Sequence, residues 1–339
     1  MSRLKIILMS FACSLAVIII VALYFLVPAE NVIIPFPNGK EFAFSIFDDT
    51  DLATVENVKP VYDLLYKLGI VTTKSIWPMP TEESDWIPNQ GQTLADADYR
   101  NFILDIQNKG FEIGFHGSRG GSSTRTGVEA GIKRFEDIVG HIPYIYANHS
   151  ENHENLYWGE HRLDVFLIKY LYRLYTKKSE DYFSGHKVNS IYFWGDIAKE
   201  KITYVRNFTF NDINTIKMNR SMPYHDGKKP YVNYWFSSSD GNDVTKFNQL
   251  LSKKNLDKLQ KEHGVCIVYT HFAYGFVKNG VLNSETEERL RDLASRNGYF
   301  VPVTELLDYI HQHRRVESNI SFREKLRMQI IFLLEKIFN

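Results

Sequence analysis

Several features that would narrow the class of this 339-residue sequence are scarce or missing. It contains only two cysteines, Cys13 in the first apolar run and Cys266 in a strand-like run, so the fold does not depend on disulfides. Its 40 basic and 40 acidic residues cancel, which removes the electrostatic reason to expect a nucleic-acid partner. It has no internal repeat or low-complexity segment, which excludes repeat architectures. The length suits one large α/β domain or two small ones.

The long uncharged run of the sequence lies at its amino terminus. Residues 6–27 carry no charged side chain, and Arg3 and Lys5 precede them. At about 1.5 Å per residue, such a run spans a hydrocarbon core of about 30 Å. Because Val27-Pro28-Ala29 is a poor cleavage site, we predict an uncleaved single-pass membrane anchor at 1–27. The basic residues before it predict a cytoplasmic tail and a globular domain on the periplasmic or extracellular side.

Strand-like and helix-like segments alternate through a predicted domain at 41–315, which a proline-containing linker at 28–40 joins to the anchor. The strands are expected near 41–48, 70–77, 111–115, 143–147, 190–194, 202–210, 231–236, 265–270 and 299–303. The helices are expected near 54–68, 96–108, 128–139, 162–176, 244–262, 285–296 and 305–313. This alternation predicts a parallel sheet, and seven or eight of these nine segments in one sheet predict a distorted (β/α)7-8 barrel.

The last segment, 316–339, is predicted to be an amphipathic helix. One of its sides is apolar and carries Phe322, Leu326, Ile330, Leu333, Leu334 and Ile337. Two placements remain open. The helix either packs on its own domain or lies on the membrane surface beside the anchor.

Polar residues follow the predicted strands where they end. The first strand, in the stretch 41–51 (EFAFSIFDDTD), ends in Asp48 and Asp49, and later strands end in His116, His149 and His271. The carboxyl ends of parallel strands meet at one end of an α/β barrel, where active sites form. Carboxylate and imidazole groups suit Zn²⁺ or a similar divalent ion, with a position open for water. A neighbouring aspartate with a shifted pKa could move a proton.

Four segments together resemble the polysaccharide deacetylases, the NodB-homology domains of carbohydrate esterase family 4. They are Phe47-Asp48-Asp49-Thr50, Gly110-Phe111-Glu112-Ile113-Gly114-Phe115-His116, Ile142-Pro143-Tyr144 and Cys266-Ile267-Val268-Tyr269-Thr270-His271. The resemblance implies a distorted (β/α) barrel and metal-dependent removal of an acyl group, N-acetyl above all, from a sugar of a cell-surface or cell-wall glycan. It also implies Asp48 as general base, Asp49 and His116 as metal ligands, and His271 as general acid.

The sequence departs from the family pattern at the second histidine ligand. The family has H-[ST]-x-x-H, but Gly120 stands where the second histidine belongs. We therefore expect His149 as the third ligand, with His153 as the alternative. These departures indicate a divergent branch, such as the WbmS-like proteins, or a membrane-tethered glycan-binding pseudoenzyme that keeps the fold.

The substrate contacts are predicted from residues near strand ends and in loops. The family also has an arginine that orients the general base, and this arginine is absent here, so Arg119 or Arg206 could take its place. The predicted substrate contacts are Arg119, Trp194, Arg206 and Asp240. A competing interpretation is the D-x-D motif of haloacid-dehalogenase-type phosphatases, which Asp49-Thr50-Asp51 resembles. That chemistry needs a later acidic pair for Mg²⁺, and the sequence has no second Asp-Asp pair.

Overall fold

A closed parallel barrel forms the centre of the protein. The computed structural model describes residues 32–82, 91–314 and 319–338. Seven strands pair in chain order, and the seventh pairs with the first. They are β1 (Phe42–Asp48), β2 (Thr73–Ile76), β3 (Glu112–Phe115), β4 (Ile145–Ala147), β5 (Tyr204–Phe210), β6 (Tyr234–Asp240) and β7 (Val265–Thr270). The predicted (β/α) barrel is therefore confirmed, with seven strands.

Three short strands lie outside this ring. The strands β8 (Val277–Lys278) and β9 (Val281–Leu282) form a separate hairpin, and β10 (Gly298–Phe300) pairs with β1. Phe42, at the amino end of β1, pairs with β10, whereas Phe47 pairs with β2. One edge of β1 is thus shared by two strands, which distorts the barrel.

Helices surround the barrel and connect its strands. In chain order they are α1 (Val55–Lys67), α2 (Ala97–Asn108), α3 (Arg125–Val139), α4 (Phe166–Thr176), α5 (Gly195–Lys201), α6 (Thr215–Met218), α7 (Val244–Leu250), α8 (Lys253–Lys261), α9 (Ser284–Ala294), α10 (Val303–His313) and α11 (Phe322–Phe338). Short 3₁₀ helices occupy Pro37–Gly39 and Gly159–Arg162.

Two predicted elements differ from the structure. The predicted strand at 190–194 is wrong, because β4 pairs directly with β5 and leaves no place between them in the sheet. Its aromatic residues reflect packing instead, since Trp194 is buried in the core. The predicted helix at 244–262 is two helices, α7 and α8, because Ser252 has extended backbone angles.

Side-chain alternation along β1 separates two apolar layers. Phe42, Phe44 and Ile46 pack among the residues of the surrounding helices, whereas Ala43 and Phe47 pack in the barrel interior. The interior group also includes Leu306 and Leu307 of α10, and α10 contacts β1. Since α10 follows β10 at the amino end of β1, it covers that end of the barrel, and the site lies at the carboxyl ends of the strands.

The carboxy-terminal helix α11 packs on its own domain, which is one of the two placements that the sequence left open. Phe332 is buried against Phe208, with ring centres 5.0 Å apart, and Lys325 forms a 2.7 Å ion pair with Asp226. Three apolar residues of the helix, Phe322, Leu334 and Ile337, stay exposed. Within the described ranges, no helix has the length and apolarity needed to cross a bilayer. The predicted anchor lies outside those ranges.

Candidate metal centre and active site

The two adjacent aspartates at the end of β1 face opposite sides of the barrel wall. Asp48 continues the series of Phe44 and Ile46, which face the helices, and Asp49 continues the series of Ala43 and Phe47, which face the interior. Both aspartates are buried. Because neighbouring residues of a strand point in opposite directions, the pair does not share one site.

Asp48 lies in a fully buried polar contact behind the barrel wall. Its carboxylate forms a 2.8 Å ion pair with Lys74 and accepts hydrogen bonds from the Tyr62 hydroxyl (2.9 Å) and the Phe272 amide (2.8 Å). Burial alone would lower the pKa of Lys74, but the Asp48 carboxylate raises it, so the ammonium group stays charged. The structure thus places Asp48 where it joins β1 to β2 and to the residue after His271.

Asp49 faces the cavity at the mouth of the barrel and is paired with Arg206 of β5. The guanidinium group donates to both carboxylate oxygens, at 2.9 and 2.5 Å, and lies over the ring of Tyr269. Burial acts to raise the pKa of Asp49, but Arg206 and then His116 keep it below the ordinary value. The Arg206 contact fixes the orientation of this carboxylate.

Asp51 is the functional residue that sequence reasoning missed. The chain turns after β1, with the Ala53 amide donating to the Thr50 carbonyl, and this turn brings Asp51 over the barrel mouth. Its carboxylate oxygens lie 2.8 Å from Nε2 of His149, 3.2 Å from Nε2 of His116 and 3.3 Å from Nε2 of His271. Three predicted histidines from β-strand ends therefore converge on one carboxylate.

In each of these histidines, Nδ1 is the ring nitrogen that points away from Asp51, and its hydrogen bond leaves Nε2 as the nitrogen available to a metal ion. Nδ1 of His116 faces the Ala147 carbonyl oxygen at 3.0 Å, and Nδ1 of His271 faces the Asn242 carbonyl oxygen at 3.0 Å. Since a carbonyl oxygen only accepts, each Nδ1 carries a proton, and each Nε2 is the nitrogen that faces Asp51, where it can donate a proton or, once deprotonated, bind a metal ion.

His149 has the same arrangement as the other two histidines. Its Nδ1 lies 3.2 Å from the side-chain oxygen of Asn152, which can accept the proton of this nitrogen. Burial acts to lower the pKa of His149, but the Asp51 carboxylate outweighs this effect, so the pKa lies above its ordinary value. An inward-facing set of imidazole nitrogens and a carboxylate is a donor set that fits a divalent cation such as Zn²⁺. Asp51, His116 and His149 have ligand atoms within 4.8 Å of one another, and so do Asp49, Asp51 and His271.

The cluster lies in a cavity of about 420 Å³ at the carboxyl ends of the strands. Asp49, Asp51, the three histidines and Arg206 line its floor, and Trp158, Arg162 and Lys336 also contribute to its wall. Asp240, predicted as a substrate contact, lines the cavity and forms a 2.7 Å ion pair with Lys246. The cavity thus offers charged groups and an aromatic ring to a polar ligand.

Three other predicted residues do not line this cavity. Arg119 donates to the Ser122 carbonyl and pairs with Glu82. His153 is held by its Nδ1, 2.7 Å from the Tyr182 carbonyl oxygen. Trp194 is 1% exposed and packs in the core, so it has no free face for a sugar ring.

Glu154 is a second residue that the sequence did not indicate. It is buried, and its Oε1 accepts a 3.1 Å hydrogen bond from Asn152, the residue that also contacts His149. Burial raises the pKa of Glu154 to about 7. Asn152 and Glu154 therefore support the orientation of His149 from behind.

Comparison with known proteins identifies the fold. No family model matches this sequence, and no curated protein matches it. A structure described as a polysaccharide deacetylase from Mycobacterium smegmatis matches with a TM-score of 0.50 and 12% identity, covering 87% of this chain and 98% of that one. Another, from Pseudomonas aeruginosa PAO1, matches with a TM-score of 0.51 and 12% identity, covering 85% and 97%.

A third match broadens the chemistry that this fold carries. The structure of Puue allantoinase has a TM-score of 0.53 and 11% identity, covering 86% of this chain and 98% of that one. The chain therefore has the fold of polysaccharide deacetylases, which confirms the resemblance found in its sequence at the level of the fold, and the WbmS-like branch stays a prediction. At 11–12% identity the likeness concerns the fold alone.

Proposed function

We propose that this protein is a metal-dependent hydrolase that removes an acyl group, N-acetyl above all, from a sugar of a cell-surface or cell-wall glycan. The observation that carries the proposal is the convergence of three histidine Nε2 atoms on the Asp51 carboxylate, at 2.8 to 3.3 Å. The deacetylase fold and a cavity of about 420 Å³ with charged walls support it.

In this proposal Asp51, His116 and His149 hold the metal ion. Their donor atoms lie within 4.8 Å of one another, and the outer nitrogen of each histidine is already engaged. A divalent ion bound there would lower the pKa of a water molecule to about 7 and polarise the acyl carbonyl. Zn²⁺ is the ion that we expect, since it prefers this mixture of nitrogen and oxygen donors.

Two further residues would move the protons of the reaction. Asp49, oriented by Arg206, takes a proton from the attacking water as the new carbon–oxygen bond forms. His271 gives a proton to the departing nitrogen as the carbon–nitrogen bond breaks, so the products are a carboxylic acid and a free amine. Both groups face the same cavity, and Nε2 of His271 points into it.

Relative to the sequence prediction, this assignment moves the base by one residue and the carboxylate ligand by two residues along the chain. The resemblance implied Asp48 as the base and Asp49 as a ligand. Asp48 is enclosed with Lys74 behind the barrel wall, and both oxygens of Asp49 accept hydrogen bonds from Arg206. We therefore assign the base to Asp49 and the carboxylate ligand to Asp51.

The cellular location belongs to the proposal as well. The uncharged run at 6–27, with Arg3 and Lys5 before it, supports a single-pass anchor and a catalytic domain on the periplasmic or extracellular side. An envelope glycan would be within reach of a domain placed there. Protection of the domain from protease in spheroplasts, where the periplasmic side of the inner membrane is accessible, would contradict this placement.

Metal content and acetate release test the proposal together. The purified protein is analysed for bound metal, titrated with Zn²⁺, and incubated with N-acetylated and O-acetylated oligosaccharides while released acetate is measured. We expect one ion per chain and a loss of both metal and acetate release in Asp51→Asn. Asp49→Asn is expected to keep the metal and to lose activity by about 10² to 10⁴-fold, the usual contribution of a general base.

His153→Ala is the matched control, because this histidine lies near the site but outside the ligand groups. If Asp51→Asn binds zinc as tightly as the wild type, the ligand assignment fails. If the wild type binds the ion and the glycan but never releases acetate, the glycan-binding pseudoenzyme is the better description.

A further inference from the structure

Helix α4 exposes an apolar surface that the barrel does not cover. Only Ile168 and Tyr172 of this helix are buried apolar residues. Its exposed large apolar residues are Phe166, Leu167, Tyr170, Leu171, Leu174 and Tyr175. They recur at intervals of three and four residues and therefore lie on one face. Phe166 is 82% exposed, and such a contiguous apolar patch marks an interaction surface. We call these six residues the α4 face.

Positive charge borders the α4 face. The segment 165–179 contains four basic residues and no acidic one. Arg173 is paired with Glu160 and Lys178 with Glu151, but the ion pairs of the described residues include neither Lys169 nor Lys177. Lys169 and Arg173 lie one turn apart along one edge of the face, and Lys177 follows its carboxyl end. An apolar face with a basic border is the pattern of helices that lie in a membrane interface.

The α4 face also adjoins the candidate active site. Helix α11 packs beside α4, with the rings of Tyr172 and Phe332 5.9 Å apart, and leaves Leu334 and Ile337 exposed. A second cavity of about 250 Å³ lies between Tyr172 and the active-site cavity, and both cavities are lined by Trp158 and Lys336. The surface and the mouth of the site therefore lie on neighbouring parts of the molecule.

A lipid bilayer and a second copy of the chain are the two candidate partners of the α4 face. A two-fold dimer would place the same patch on itself and bring the basic borders of both copies together, which opposes association. An anionic bilayer complements the same charges. The uncharged run at 6–27 supplies a second, independent reason to expect a bilayer near the domain.

We infer that the α4 face docks in the headgroup region of an anionic membrane, with Lys169 and Lys177 on lipid phosphates. Docking there brings the active-site mouth close to the bilayer surface, where a membrane-associated glycan would meet it. The inference concerns how the domain sits and does not depend on the catalytic proposal, because its test needs no turnover.

A fluorescent probe on the full chain tests the docking. The chain carries Cys13→Ser, and its remaining cysteine, Cys266, is buried. An environment-sensitive dye is attached through Leu171→Cys on the α4 face, or through Val281→Cys as the control. Val281 is also exposed, but it lies on the β8–β9 hairpin, which packs against α1. Each protein is mixed with phosphatidylcholine vesicles, with or without phosphatidylglycerol, that contain a shallow nitroxide-labelled lipid as quencher.

We expect quenching of the dye at 171 and none at 281, and stronger quenching with phosphatidylglycerol. Lys169→Ser with Lys177→Ser should reduce the ratio of docked to undocked dye about 25-fold, since each interfacial lysine contributes about fivefold. Lys254→Ser with Lys261→Ser on the exposed side of α8 is the charge-matched control and should change nothing. Equal quenching at 171 and 281 would overturn the inference. A dye at 171 whose emission shows burial without lipid, and increasingly so at higher protein concentration, would indicate a dimer and would overturn it as well.

Discussion

Replacing Asp48 and Lys74, singly and together, separates the structural role of this pair from the catalytic role that the sequence suggested. Both side chains are fully buried and lie 2.8 Å apart. Asp48→Asn leaves the Lys74 ammonium group buried without its counter-charge. Breaking a buried pair in this way costs about 3 to 5 kcal/mol, which is a large fraction of the roughly 5 to 15 kcal/mol that keeps a domain folded.

The double variant Asp48→Asn, Lys74→Met should recover most of that loss. Methionine fills a similar volume without charge, and buried ion pairs are often replaced by apolar residues at little cost. The new asparagine can still accept from the Phe272 amide and donate its own N–H to the Tyr62 hydroxyl, so the backbone beside His271 keeps its position. Urea unfolding followed by tryptophan fluorescence measures the free energy of unfolding of all three variants.

Acetate release decides between the two roles. We expect the double variant to be folded and to keep its activity within about threefold of the wild type, because neither residue faces the cavity. A double variant that is as stable as the wild type but has lost about 10²-fold or more in activity would show that Asp48 is the general base and refute our assignment of Asp49.

Three further predictions concern the ligand set and the response to pH. Isothermal titration should detect zinc binding in His153→Ala but not in His149→Ala. The pKa of Glu154 in the folded protein is about 7, which lies above its ordinary value of 4.5. Its contribution of about 3 kcal/mol to the free energy of unfolding is therefore complete below pH 4.5 and is lost as the pH rises through 7. Glu154→Gln should flatten this pH dependence in urea unfolding. The pKa of Asp226 is lowered to about 2 by Lys229 and Lys325, which outweigh its burial, so this contribution is present above pH 3.8 and lost as pH falls through 2. Asp226→Asn should therefore lower the melting temperature at pH 7 and not at pH 2.

The fold was predictable because its strands are apolar runs that end abruptly in polar residues. β1, β3 and β7 each end this way, at Asp48, Phe115 before His116, and Thr270 before His271. The short segment at 190–194 was misread because an aromatic run indicates burial without saying whether a neighbouring strand is available. Two strands, β2 and β10, pair with the same edge of β1. This arrangement depends on the register between strands that are far apart in the sequence, and no local sequence pattern encodes it.

The histidines of the site were also predictable, since each directly follows or lies within two residues of a strand that closes the same barrel end. Asp51 was not, because it lies in a turn and its position depends on the path of the chain between β1 and α1. A turn residue has no periodic pattern that would reveal where its side chain points. Lys74 and Glu154 were not predicted because the sequence does not show that a charged residue is buried or which residue is its partner.

One signal in the sequence did contain the correct arrangement of the aspartates. A strand with apolar residues at Phe42, Phe44 and Ile46 on one face and at Ala43 and Phe47 on the other has both faces covered. Two consecutive carboxylates at its end must then face opposite sides, so at most one of them can reach the cavity. The other needs a buried cation, and any second carboxylate at the cavity must come from beyond the strand. The parity of β1 therefore explains why Asp48 pairs with Lys74 behind the barrel wall while Asp49 faces the cavity, and the further carboxylate at the cavity, Asp51, comes from the turn beyond the strand.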